Sequence, residues 1–184
     1  EEANKLIAYV AAVSRKMEDP LSILVLSRSA AGKSTLAEAI AALAPPEEVR
    51  SFTRLTAQTL YYQKPDSLAH KLLLVEEAEG VDDAAYALRI LQSARRLSLS
   101  TAAGHGEART REVKGPVSLF VTTTRTDLDE ETAGRFVTLS VDESREQTRA
   151  ILAAQRAMEG NASERERILR VHQNAQRLLE ERAV

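Results

Sequence analysis

The chain has 184 residues, 43% of them hydrophobic, and a formal net charge of −2 from 25 basic and 27 acidic side chains. That is enough apolar material for one cored domain, and too even a charge balance for a protein whose whole surface grips nucleic acid. It has no cysteine, which excludes disulfides, thiolate metal sites and cysteine nucleophiles, and its three scattered histidines (His70, His105, His172) argue against a histidine metal centre.

Leu6, Ile7, Val10 and Val13 recur at helical spacing over residues 2–17, and Asp19-Pro20 ends that helix. Residues 21–26 (Leu-Ser-Ile-Leu-Val-Leu) form a nearly continuous apolar run of strand length, as expected for a parallel strand covered on both faces. Ser34 to Leu43 is predicted helical, with Leu36, Ile40 and Leu43 inward, and Pro45-Pro46 stops it. Residues 50–70 yield only short mixed pieces around Leu60-Tyr61-Tyr62. Leu72 to Val75 is a second buried-strand run, closed by Glu76-Glu77. A helix is predicted from about Val81 to Arg95, with Tyr86, Leu88 and Leu91 among its apolar positions. Residues 97–101 and 109–114 read as hairpin arms around Gly104-His105-Gly106. Val117 to Val121 is a third run, ending in Thr122-Thr123-Thr124, and Phe136 to Val141 is a fourth. Helices at about 143–158 and 163–182 follow. In the last, Ile168, Val171, Ala175 and Leu178 share one face, expected to pack on the core as part of a lid or else to meet a partner helix or subunit. Strands alternating with helices predict an α/β domain with a largely parallel sheet. No apolar run approaches the ~18 residues that span a bilayer. No signal peptide is visible, and the chain opens at Glu1 without Met. The expectation is a soluble cytoplasmic piece of a longer protein, with no membrane partner.

The chemistry concentrates between the first buried strand and the following helix. Ser27-Arg28-Ser29-Ala30-Ala31-Gly32-Lys33-Ser34-Thr35 fits a phosphate loop, G-x-x-x-x-G-K-[ST], with Ser27 where the first glycine usually stands. Backbone N–H groups of Ser29 to Thr35 would curl around phosphates, with the helix N-terminus aimed at them and Lys33 adding a mobile charge. Only six residues of the chain are lysine, so one inside such a motif carries weight. Ser34 would give a hydroxyl to Mg²⁺. Glu76-Glu77 ends the second strand, on the sheet edge where parallel α/β proteins place ligands. One carboxylate there can hold Mg²⁺ and the other can polarise the attacking water. Thr124, at the end of the third strand, would lie on the same edge.

Phosphate loop, acidic pair, hairpin, polar strand end and Gly134-Arg135-Phe136 follow in that order. The series resembles the AAA+ P-loop ATPases, and within them the branch of the minichromosome maintenance helicases. A more specific likeness is to ATPase segments of bacterial and mobile-element proteins usually identified as zinc-finger DNA primases. It rests on Ser29 to Ser34, Tyr86-Ala87-Leu88 with Leu91-Gln92-Ser93, Gly115-Pro116-Val117 with Thr122-Thr123-Thr124, and Val141 to Arg149, and it spans about residues 3–156. The resemblance implies a three-layer P-loop NTPase sandwich with a hairpin before the sensor-1 strand and C-terminal helices. Its ATPase core would be residues 1–142, with a helical segment at 143–184 acting as lid or oligomer contact.

On that pattern ATP is the nucleotide and Mg²⁺ the metal. Lys33 and the loop amides hold the phosphates, Ser34 and Glu76 hold Mg²⁺, Glu77 orients water and Thr124 is sensor 1. Arg135 is the arginine finger of a neighbouring subunit in a ring, expected to be a hexamer. The hairpin residues His105, Arg109, Arg111 and Lys114 are the candidate contacts to DNA, expected to be single-stranded. Primase or other replication domains of the parent protein are the remaining expected partners. The whole implies an ATP-dependent, helicase-like DNA-remodelling motor in replication. Two alternatives share the phosphate loop: a small-molecule P-loop kinase, and a nucleotide-gated assembly module with little turnover.

Overall fold

The computed structural model describes residues 2–26, 33–53, 55–76, 82–102, 108–124, 134–142, 144–158 and 162–179. Four of the strands expected from apolar runs form: β1 (Ile23–Leu26), β3 (Lys71–Val75), β6 (Val117–Thr123) and β7 (Val137–Ser140). A fifth, β2 (Val49–Phe52), joins them at the edge. The sheet order is β2-β3-β6-β1-β7, and every pairing is parallel. Helix α1 (Glu2–Val13) precedes β1, α2 (Lys33–Leu43) follows it, α3 (Ala57–Tyr61) lies between β2 and β3, and α4 (Asp82–Ala94) follows β3. The antiparallel hairpin β4 (Arg96–Ala102) and β5 (Ala108–Lys114) stands between α4 and β6 as a separate two-stranded sheet. Helices α5 (Arg145–Met158) and α6 (Ala162–Arg177) come last.

Side chains alternate across the sheet with the two-residue period of a strand, which makes two cores. Leu24, Leu73, Val75, Leu119 and Val121 face α3, α4 and the hairpin base, where Leu60, Leu88, Leu91, Leu97 and Val113 are buried. Ile23, Val25, Leu72, Leu74 and Phe120 face α1 and α2. The result is the expected three-layer α/β sandwich.

Two helices present a different face from the one their apolar spacing predicts. In α1 the buried positions are Ala8, Ala11 and Ala12, while Leu6, Ile7 and Val10 are exposed. The cause is a close approach to the sheet: buried Ser118 on β6 donates to the Ala11 carbonyl at 3.0 Å, a contact for which larger helix residues leave no room. In α6 the expected core face (Ile168, Val171, Ala175, Leu178) is exposed, and Gln176 is buried instead. That polar face meets the C-terminal end of α2, whose last carbonyls lack intrahelical donors. Gln173 donates to the Ala42 carbonyl at 2.9 Å and Gln176 to the Leu43 carbonyl at 3.0 Å.

The α6 anchor continues into a charged network. Arg15 is fully buried and donates to Glu48 through Nε at 3.0 Å and through a second nitrogen, to the Ala12 carbonyl at 2.8 Å and to Gln176 at 2.8 Å. Lys16 adds a 2.6 Å ion pair to Glu48. Burial raises the Glu48 carboxyl, but hydrogen bonds from Lys16 and Arg15 outweigh it and hold the group below its usual range. Arg177 bonds the exposed Glu47 and draws its carboxyl down to about 2. Ser144 starts α5, accepting from the Gln147 N–H at 3.1 Å. Among the described residues, no helix is long and apolar enough to cross a membrane.

Candidate phosphate-binding site

Of the expected site residues, Ser34, Glu76 and Thr124 lie at the C-terminal edge of the parallel sheet, where such sheets hold ligands. Strand β1 ends at Leu26 and α2 opens at Lys33. Residues 27–32, including Ser29, Ala30, Ala31 and Gly32 of the phosphate loop, lie outside the described residues. What is described is the strand that feeds the loop and the helix that receives it. The first four N–H groups of α2 have no intrahelical acceptor, and the helix dipole adds partial positive charge there. Ser34 and Thr35 are exposed in this first turn. An oxyanion is the natural complement of such an end.

Register puts the other candidates beside it. Leu26 pairs with Thr123, and Val75 pairs with Val121, so β1, β6 and β3 finish side by side. Glu76 follows β3, half-buried, with its N–H donating to the Phe52 carbonyl at 3.1 Å. That bond continues the β2–β3 ladder and fixes the backbone from which the carboxylate projects. Glu77 lies outside the described residues. Thr122 and Thr123 are buried within β6, and Thr124, one residue beyond the strand, is exposed.

The Ser34 hydroxyl and Glu76 carboxylate are hard oxygen donors on this one edge, a donor set that fits Mg²⁺. Among the described residues no group of three or more acidic or histidine side chains gathers to hold a metal unaided. Mg²⁺ characteristically keeps several waters and takes further ligands from phosphate. If bound, the ion would neutralise charge on the phosphate oxygens.

Arg135 stands elsewhere. It lies two residues before β7, whose first residue Val137 pairs with Ile23 and donates to the Ser22 carbonyl at 2.8 Å. It is exposed and has an interaction within the chain. At about 3.3 Å per strand residue, the length of β1 and its flanks puts roughly 15 Å or more between the N-terminal edge of the sheet and the start of α2.

The hairpin divides its basic residues between its two faces. Arg109, Arg111 and Lys114 do not form a single basic cluster. Arg111 pairs across the ladder with Leu99 and Arg109 with Thr101, on the face that begins with buried Leu97 and Val113. Lys114 pairs with Arg96 on the opposite face and reaches Asp66 at 3.3 Å. His105 lies outside the described residues. The structure also brings forward a residue the sequence did not single out as a site. Tyr62, just past α3, is exposed, and the Arg111 guanidinium sits 4.7 Å from its ring centroid. No periodicity marks it, because α3 is a single short turn of helix.

Comparison with known proteins gives the family of the chain. No curated protein matches the chain. Among solved structures, NtrX from Brucella abortus in complex with ADP is similar with a TM-score of 0.49 and 14% identity. The match covers 76% of this chain and 35% of that one, so this chain spans about a third of the NtrX chain's length. The family whose model matches is described as the MTBMA_p00010 P-loop domain, over residues 1–181. That match takes in all but the last three residues and agrees with an α/β sandwich whose first strand is followed in sequence by Gly32-Lys33-Ser34. The chain therefore belongs to the MTBMA_p00010 P-loop domain family.

Proposed function

We propose that this domain is an AAA+ ATPase of the helicase-like branch, which uses ATP with Mg²⁺ to remodel single-stranded DNA during replication of bacterial or mobile-element DNA. One observation carries the reading: Ser34, Glu76 and Thr124 share the C-terminal edge of the sheet, while Arg135 occupies the opposite edge. A chain cannot bring that arginine to its own phosphates over about 15 Å of sheet. A neighbouring copy can, which is the logic of an arginine finger supplied in trans, worth about 10³–10⁵ in rate in related NTPases.

In this reading Lys33 and the loop amides bind the phosphates, Ser34 and Glu76 take the metal, Glu77 orients the attacking water and Thr124 contacts the γ-phosphate. Chains pack in a ring, so that each site is completed by the next chain's Arg135. The position of the hairpin, between α4 and the strand carrying Thr124, supports a polymer track coupled to the nucleotide. A small-molecule kinase has no use for that insertion.

The test is complementation. Lys33→Ala removes the site and keeps the finger, and Arg135→Ala does the reverse. Each alone should hydrolyse ATP poorly, and an equal mixture should recover about one quarter of the parental rate, the fraction of complete interfaces in a randomly mixed ring. A mixture no faster than its components, or Arg135→Ala turning over at the parental rate, contradicts the proposal.

A further inference from the structure

Residues 60–62 divide sharply by environment. Leu60 is fully buried and Tyr61 packs partly against the same core, whereas Tyr62 is 56% exposed. Tyr62 is held there by the backbone of α3, with its N–H bonded to the Gln58 carbonyl at 3.0 Å, so the ring is presented from a fixed base. Arg111 of the hairpin lies over it, its guanidinium 4.7 Å from the ring centroid.

The hairpin face that carries Arg111 changes along its length. Leu97 and Val113 are buried at the base, Leu99 is half-buried beside Arg111, and Thr101 and Arg109 are exposed nearer the tip. Among the described residues no acid lies on this face, because Glu112 pairs with Ser98 on the other. An exposed ring, a planar cation over it and a second cation about 7 Å farther along the same strand face thus lie close together. Single-stranded nucleic acid is bound by that combination: bases stack on aromatic and guanidinium faces, and cations follow the backbone.

We propose that Tyr62 and Arg111 form a stacking platform for a base of single-stranded DNA, with Arg109 taking the adjoining phosphate. This rests on the DNA reading of the hairpin given above and extends it to a residue on a different element.

The experiment uses the 184-residue chain with Mg-ATP, titrated with dye-labelled oligo(dT) at low salt while tyrosine emission is followed. The chain has four tyrosines and no tryptophan, so stacking on a tyrosine ring is directly visible as quenching. Tyr62→Ala should weaken binding by about 5- to 150-fold with the salt slope retained. Tyr62→Phe should bind within about twofold of the parent, yet lose part of the quenching. Arg109→Ala should instead reduce the slope of log K against log salt by about 0.7. If Tyr62→Ala binds like the parent, or Tyr62→Phe is quenched as fully, the platform is refuted. If in that case Arg109→Ala still weakens binding, the DNA reading of the hairpin survives. A parent that fails to bind oligo(dT) overturns both.

Discussion

The Arg15–Glu48 pair offers the sharpest test of how the C-terminal helix is held. Arg15 is 0% exposed, and its guanidinium gives two of its hydrogen bonds to the Glu48 carboxylate. In Glu48→Ala those donors lose their charged acceptor, while bonds to the Ala12 carbonyl and Gln176 remain. Leaving one charge of a buried pair uncompensated costs about 3–5 kcal/mol. For a chain of this size each kcal/mol moves Tm by about 2–4 °C, so a fall of roughly 6–20 °C is expected in a thermal melt. Arg15→Met/Glu48→Leu removes both charges together and should recover most of the loss, since apolar replacement of a buried pair is often neutral. A Glu48→Ala melt within about 2 °C of the parent would refute the reasoning. So would a double variant as unstable as the sum of the two single ones.

Three further outcomes follow from the packing and electrostatics. Ala11→Leu should destabilise by about 1–3 kcal/mol in urea, because it inserts bulk where α1 lies against Ser118. Leu6→Ala, at a position 64% exposed, should stay within about 0.5 kcal/mol of the parent, and the reverse order would overturn the account of α1. Glu47 and Glu48 both titrate lower in the folded chain than in the unfolded one. Their contribution is therefore full above about pH 4.5 and lost as pH falls toward about 2. Melts across that range should show the loss, and Glu47→Gln should flatten part of it. Gln176→Leu should loosen α6, measured as faster amide exchange over residues 162–177, since it removes the donor to the Leu43 carbonyl and an acceptor for Arg15.

The central strands were legible because strands covered on both faces are written as apolar runs, and β1, β3 and β6 follow theirs closely. Strand β2 was not legible: as a half-buried edge strand reading Val-Arg-Ser-Phe, it carries neither a run nor a clean alternation. Helix positions were readable and helix faces were not. Apolar spacing marks Leu6 and Val10, yet the sheet admits only alanines where Ser118 reaches the helix backbone. In α6 the surface to be met is a set of unsatisfied carbonyls, for which glutamine outcompetes leucine. The site's residue types and order were visible, while its geometry required register. That Glu76 and Thr124 reach one edge and Arg135 the other depends on strand pairing, which no local pattern encodes.

The proposed shared active site is tested most directly by ATP hydrolysis per chain as a function of protein concentration, with and without single-stranded DNA. The account predicts a specific rate that climbs with concentration as copies supply Arg135 to one another, and climbs again when DNA is added. A specific rate that is flat in concentration and indifferent to DNA would contradict it.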